Sequence, residues 1–269
     1  MLIMLPDIRL NARLTGPAGA PVLVMSHALG TDLTIWDGVV DLLQDRFRIL
    51  AYDHRGHGTS DVPTPPYAMG ALIRDMERLM DHFALTDAVV IGASLGGLVA
   101  QGLAVKRLDL VRALVLSNTA ARIGTPELWQ TRIAEVRQTG LAPYAETAMQ
   151  RILGAGYLTN PALPYLRGLL TGTDIDGWAG CAAAIGGCDF YTTTAALRLP
   201  TLAIAGAHDG TTPPDLVRET AELIPGHRFA LMRGVGHLPM VEKPAEYAAL
   251  LDTFLADIGH TPDHRGPHA

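Results

Sequence analysis

Two cysteines in 269 residues are too few for a disulfide scaffold or a cysteine-rich zinc site. Cys181 and Cys188 are spaced to share a helical face, so one bond between them is the only covalent tie the sequence leaves open. Lys and Arg form no cluster, and the formal net charge is -6. Neither feature gives a reason to expect nucleic acid or an anionic membrane surface as a partner. No apolar run reaches the length of a transmembrane helix. The start, MLIMLPDIRL, lacks the basic lead and long apolar core of a secretion signal. No G-x-G-x-x-G follows the first strand-like run, no G-x-x-x-x-G-K-[ST] occurs, and no H-E-x-x-H occurs. No internal repeat is visible. A soluble chain in a reducing, cytoplasmic setting is expected.

What is present is apolar substance, 48% of the chain, enough for a sizeable core. Short β-branched runs read as strands: Ile8–Leu14 (an early edge strand), Val22–Ser26, Phe47–Tyr52, Ala88–Ile91, Ala113–Ser117, Thr201–Ala205 and Arg228–Met232. Most do not alternate, as expected of strands buried on both faces. Helical stripes fall between them, over Leu72–Phe83, Leu95–Arg107, Asp215–Leu223 and Pro244–Ile258. This alternation predicts an α/β fold with a mostly parallel central sheet flanked by helices. From 119 to 199 no strand appears. Glu127–Thr139, Pro143–Leu153, Pro161–Leu170 and Trp178–Ile185 look helical instead. The expected organisation is a core of residues 1–118 and 200–259, a helical lid of residues 119–199, and a frayed polar tail over 260–269.

Gly92-Ala93-Ser94-Leu95-Gly96 fits G-x-S-x-G between a strand and a helix. Small residues on either side let strand and helix approach, so that the serine hydroxyl stands clear on a sharp turn. A serine needs a base, and the base needs an orienting acid. In chain order, Asp209 follows the Thr201–Ala205 strand and His237 follows the Arg228–Met232 strand, both in loops at strand ends. We therefore expect Ser94 as nucleophile, His237 as base and Asp209 as its orienter. Asp189 and Asp215 are the rival acids; Asp215 opens a helix, where a capping role is more natural. The tetrahedral intermediate needs two donors. The N–H of Leu95 is one, and the loop Ser26–Gly30 supplies the other, expected at Leu29, with His27 bracing that loop. The corner Asp53–Ser60 holds Asp53, His54 and His57 close together, a set zinc can use. Gly56 and Gly58 point instead to a tight turn with Arg55 tying loops together, and no metal is expected.

The elbow at Ser94, the Asp53–Ser60 corner, "GAHDGTTPP" from Gly206 and "GVGHLPMVEKP" from Gly234 together resemble the α/β-hydrolase superfamily over nearly the whole chain. "SHALGTDLTIW" over Ser26–Trp36 and "LVLSNTAARIGTPELW" over Leu114–Trp129 resemble the 3-oxoadipate enol-lactonases in particular. The resemblance implies the α/β-hydrolase fold and a cofactor-free hydrolase of aromatic catabolism that opens a small anionic enol-lactone to a 3-oxo diacid. Three departures bear on the substrate. His27-Ala28 stands where most relatives have His-Gly. Met149-Gln150-Arg151-Ile152-Leu153 stands at a "PRWF"-like lid segment, so Ile152 replaces a tryptophan while Arg151 is kept for a substrate carboxylate. Gly186 and Gly187 replace more polar residues. Candidate substrate contacts are Arg151, Trp129, Ile152 and Asn118, with Thr119, Ala120 and Ala121 at the lid's mouth; Arg122, Trp36 and Trp178 are further candidates. Hydrolysis of a different lactone or ester, cofactor-free peroxide-dependent chemistry and a non-enzymatic small-molecule receptor are the alternatives. An intact set of Ser94, Asp209 and His237 speaks against the last.

Overall fold

The computed structural model describes residues 1–262. Eight strands form one sheet: β1 (Leu2–Met4), β2 (Arg9–Thr15), β3 (Val22–Ser26), β4 (Arg48–Tyr52), β5 (Ala88–Ala93), β6 (Val111–Ser117), β7 (Thr201–Gly206) and β8 (Arg228–Met232). Their order is β1-β2-β4-β3-β5-β6-β7-β8. Pairing is antiparallel from β1 through β2 to β4 and parallel from there to β8. Every residue of β3, β5 and β7 is buried, because helices cover both faces. The chain runs from β3 outward to β4, then returns to place β5 on the other side of β3. The loops after β3 and β5 therefore flank the point where strand order reverses, the usual crevice of such sheets.

Core helices are α1 (Asp37–Leu43), α2 (Met69–His82) and α3 (Leu95–Lys106). Between β6 and β7 comes an all-helical insert of α4 (Pro126–Thr139), α5 (Leu141–Leu153), α6 (Leu163–Gly172), α7 (Ile175–Gly186) and α8 (Tyr191–Ala195). The core closes with α9 (Pro214–Glu222), α10 (Pro239–Glu242) and α11 (Pro244–Asp257). Three differences from the sequence reading are local. The run expected as an edge strand is β2, and β1 lies outside it; β1 has three residues, too short to show alternation. α1, α8 and α10 were not anticipated, since seven residues or fewer give no full amphipathic repeat. α7 begins at Ile175 rather than Trp178, because the Asp174 side chain accepts from the N–H of Gly177 at 3.0 Å and caps the helix.

Cys181 and Cys188 are both buried free thiols. The tail expected to fray begins ordered: His260 is buried, with Nε2 3.0 Å from the Val22 carbonyl and its ring stacked on Phe47. Residues 263–269 lie outside those described. Among the described residues, no helix is long and apolar enough to cross a membrane.

Candidate active site

Ser94 sits between β5 and α3 with φ 53 and ψ -112, a left-handed backbone that side chains rarely adopt. Close approach explains the glycines. A Cβ on Gly92 would lie 2.3 Å from the Gly96 carbonyl oxygen, and one on Gly96 would lie 2.2 Å from that of Ser26. The turn is locked from below: Thr119 Oγ1 donates to the Ser94 carbonyl at 2.7 Å, and the Ser94 N–H donates to the Ser117 carbonyl. Surrounding structure thus holds a strained residue in place.

Asp209 and His237 come together at the ends of β7 and β8. His237 Nδ1 lies 2.7 Å from Asp209 Oδ2, and both side chains are almost fully buried. With Nδ1–H donated to the carboxylate, the lone pair of the ring stays on Nε2. Four further donors surround the carboxylate: the N–H groups of Thr211 and Thr212, the Thr212 hydroxyl, and Asn118 Nδ2 at 2.8 Å. Burial alone would raise the pKa of Asp209, but the charge and hydrogen bond of His237, with Asn118 and the Thr211 N–H, hold it below the usual carboxylate range. The rival acids are elsewhere. Asp189 is exposed beside Arg122, and Asp215 opens α9.

Several N–H groups of the loop after β3 and of the elbow are already committed. Gly30 donates to His57 Nε2, Thr31 to the Ala28 carbonyl, Gly96 to the His27 carbonyl and Gly97 to the Ser94 carbonyl. The N–H groups of Leu29 and Leu95 have no such partner among the described residues, and Leu29 and Ser94 line one cavity. His27 braces this loop: Nδ1 bonds the Ala28 carbonyl at 2.8 Å, and Nε2 accepts from the His54 N–H at 2.9 Å. The Asp53–Ser60 corner is a hydrogen-bonded support. Asp53 accepts from the N–H groups of Leu33 and Thr59 and from Asn11, and Arg55 forks onto Asp75 with two bonds of 2.7 Å. Among the described residues no cluster of His, Cys, Asp or Glu has the arrangement to hold a metal ion.

Burial keeps these imidazoles neutral. It lowers His27 to about 4 and His57 to about 3, and pushes His54 well below its ordinary value. The unfolded chain therefore binds protons near pH 6.5 that the folded chain refuses, and stability falls as pH drops below that value. Buried Asp75 and Glu242, held above the carboxylate range, act in the opposite sense. At pH 5, His27 and His57 together withdraw about 4 kcal/mol relative to pH 7.5. Urea melts at the two pH values check this; equal midpoints would overturn it.

Ser94 and His237 open onto a cavity of about 500 Å³, its mouth included, roofed by the insert. Arg151, Ile152, Trp129, Trp178 and Leu29 line it. Other expectations need correction. Asn118 is fully buried behind Asp209 rather than in the wall, because its left-handed backbone (φ 47) turns the amide toward the carboxylate. Thr119 lies under the elbow, and Ala120 and Ala121 are buried away from the cavity. Trp36 packs against Tyr247 in the core, and Arg122 is on the surface.

The sequence reading also missed several contributors. Arg132 and Tyr144 line the cavity. Arg132 follows Trp129 by three residues on α4, a spacing that puts both on one helix face. Thr212 stands three residues after Asp209, where an Asp turn delivers its N–H. Glu242 accepts from the Gly236 N–H at 2.7 Å and from Asn160 of the insert at 2.8 Å, steadying the His237 loop. The C-terminal carbonyls of α5 do the same. Arg151 O accepts from the Gly210 N–H at 2.9 Å, and Ile152 O from the His237 N–H at 2.6 Å. These carbonyls have no partner within their own helix, so the two loops cap it.

Comparison with known proteins agrees with this architecture. A family model described as alpha/beta hydrolase fold matches residues 21–244. Over 208 residues the chain is 35% identical to 3-oxoadipate enol-lactonase 2 of Acinetobacter baylyi, covering 77% of this chain and 78% of that protein. An enol-lactonase from Burkholderia xenovorans superposes with a TM-score of 0.91 at 33% identity, over 95% of this chain and 100% of that one. A thermophilic esterase from Thermogutta terrifontis, with malate bound, superposes with a TM-score of 0.87 at 30% identity, over 96% and 97% of the two chains.

Proposed function

The chain belongs to the alpha/beta hydrolase family and is related to enol-lactonases and esterases, and from that premise we propose that it opens a small anionic enol-lactone, 3-oxoadipate enol-lactone, to 3-oxoadipate. Ser94 Oγ attacks the lactone carbonyl while His237 Nε2 takes its proton. The oxyanion of the tetrahedral intermediate receives the N–H groups of Leu29 and Leu95. Its collapse breaks the ring C–O bond, and the departing enol oxygen takes the proton from His237 Nε2, leaving the acyl group on Ser94 and the imidazole neutral again. A water, deprotonated by His237, then attacks the acyl carbon, and the carboxylate leaves as the proton returns to Ser94. The freed enol tautomerises to the ketone. An enol is a better leaving group than an alcohol, so the first step asks little of His237 as an acid. Asp209 holds the imidazole tautomer and steadies its charged form throughout.

One observation carries the choice of an anionic substrate. The Arg151 guanidinium lines the same cavity as Ser94 and His237, and has no carboxylate partner among the described residues. Among the described residues its guanidinium donates to the Tyr144 hydroxyl alone, at 3.2 Å. A half-buried cation of this kind favours a substrate that brings its own carboxylate. The related thermophilic esterase has malate, a dicarboxylate, bound, which is in keeping with this reading.

A substrate panel tests the reading. It sets 3-oxoadipate enol-lactone against neutral five-membered lactones, uncharged short acyl esters and peroxide-dependent oxidation. The enol-lactone is expected to give the highest kcat/KM. Arg151→Ala is expected to lower kcat/KM about tenfold more for it than for a neutral ester, the size of one charge-assisted bond. A wild type that prefers the neutral lactones overturns the enol-lactone reading. Peracid formed only with peroxide favours the other chemistry.

A further inference from the structure

A second cation faces the same cavity. Arg132 of α4 is half-buried, with its guanidinium carbon 4.9 Å from the centre of the Trp129 ring. Two other arginines of the insert meet carboxylates: Arg137, on the same helix, pairs with Asp176 at 2.9 Å, and Arg167 pairs with Glu146. Arg132 and Arg151 make no ion pair among the described residues, and Glu135, one turn along from Arg132, is exposed. Burial, and after it the like charge of Arg151, lower the Arg132 guanidinium from its ordinary value, against the pull of Tyr144 and Glu135. Two like charges turned toward one partly desolvated space repel each other and lack counter-charge. Each is propped by an aromatic ring rather than by an acid, Arg132 over Trp129 and Arg151 over Tyr144 at 5.5 Å. An anion placed between them removes the repulsion and supplies the missing partner.

We propose that Arg132 is a specificity-determining residue, and that with Arg151 it forms a paired guanidinium clamp for one carboxylate at the non-reacting end of the substrate. The proposal rests on the ester or lactone hydrolase reading above. It adds a second residue to carboxylate recognition, and it makes the two arginines interdependent. A clamp of two forks on one carboxylate is coupled, so removing either arm takes away most of what both supply.

Two esters of matched length test it: the mono-p-nitrophenyl ester of adipic acid, which ends in a carboxylate, and its methyl-capped neutral counterpart. The readout is the ratio of their kcat/KM values. In the wild type the charged ester is expected to lead by about thirtyfold or more, the size of a desolvated charge-assisted contact. Arg132→Gln and Arg151→Gln are each expected to lower that ratio about tenfold. The double variant is expected to fall by much less than the product of the two. A purely structural Arg132 would lower both esters alike and leave the ratio unchanged; that result overturns the clamp. Fully multiplicative losses overturn it too, since they describe two separate sites. If neither ester is hydrolysed, the hydrolase reading fails, and binding still decides the clamp. Hexanoate, titrated by ligand-observed NMR, is expected to bind at least fivefold more weakly to Arg132→Gln than to wild type. Equal binding overturns the proposal whatever the protein catalyses.

Discussion

Replacing Ser94 by alanine is expected to lower kcat on every acyl substrate by about 10⁴-fold or more, with the fold unchanged. In the proposed mechanism the oxygen removed is the one that forms the covalent bond, and a water molecule has no equivalent activation. The backbone turn does not depend on that oxygen. It is held by Thr119 on the Ser94 carbonyl and by glycine contacts at Gly92 and Gly96, none of which use the side chain. Alanine keeps the same Cβ at φ 53, so the melting temperature is expected to stay within about 2 °C, as for a substitution away from structural contacts. Initial rates on the enol-lactone and on p-nitrophenyl acetate, with a thermal melt of each protein, check both halves. Comparable rates in the two proteins would remove the serine mechanism.

Asp209→Asn is expected to cost about 10⁴-fold in kcat, with His237→Ala at least as severe. The surroundings of the carboxylate explain so large an effect from one atom. Every neighbour of Asp209 is a donor: two backbone N–H groups on Oδ1, and Asn118, Thr212 and His237 on Oδ2. An amide NH₂ in the Oδ1 position meets two N–H groups head-on. In the Oδ2 position it donates to His237 Nδ1 and forces the ring proton onto Nε2, where the lone pair is needed. Asp189→Asn and Asp215→Asn serve as controls, each expected within about twofold of wild type, as surface changes away from the site. A harmless Asp209→Asn beside a damaging control would reassign the acid. Asn118→Ala removes one of five donors and is expected to cost only about tenfold, the worth of one hydrogen bond to a charge.

The parts legible in the sequence were those with a local signature. β3, β5 and β7 announce themselves because strands covered on both faces must be apolar throughout. The serine turn is visible because backbone approach at Gly92 and Gly96 admits no side chain. Asp209 and His237 are visible because strand ends deliver them. The cavity wall was legible only in part. Asn118 was misplaced because its direction is set by a left-handed backbone angle that no composition rule foretells for a non-glycine residue. Arg132 is not legible because an arginine on a helix is ordinarily solvated, and the packing of α4 against α7 and α5 is what a sequence does not display. β1 and the shortest helices are not legible because they hold too few residues for their pattern to repeat.

The end of α5 bears on how this protein can change its substrate range. Arg151 O and Ile152 O anchor the two loops that carry Asp209 and His237, while the side chains of the same residues face the cavity. The proposed recognition and the observed anchorage thus share one dipeptide but use different atoms. Exchanging side chains at 151 or 152 alters only the first. Deleting or inserting a residue between Met149 and Arg151 moves both carbonyls by about 1.5 Å along the helix axis and rotates them by about 100°, so both loops lose their anchor together. New specificities at this wall are therefore reachable by point substitution and closed to changes of length. In a library built over residues 149–154, active members are expected to be those that keep the residue count.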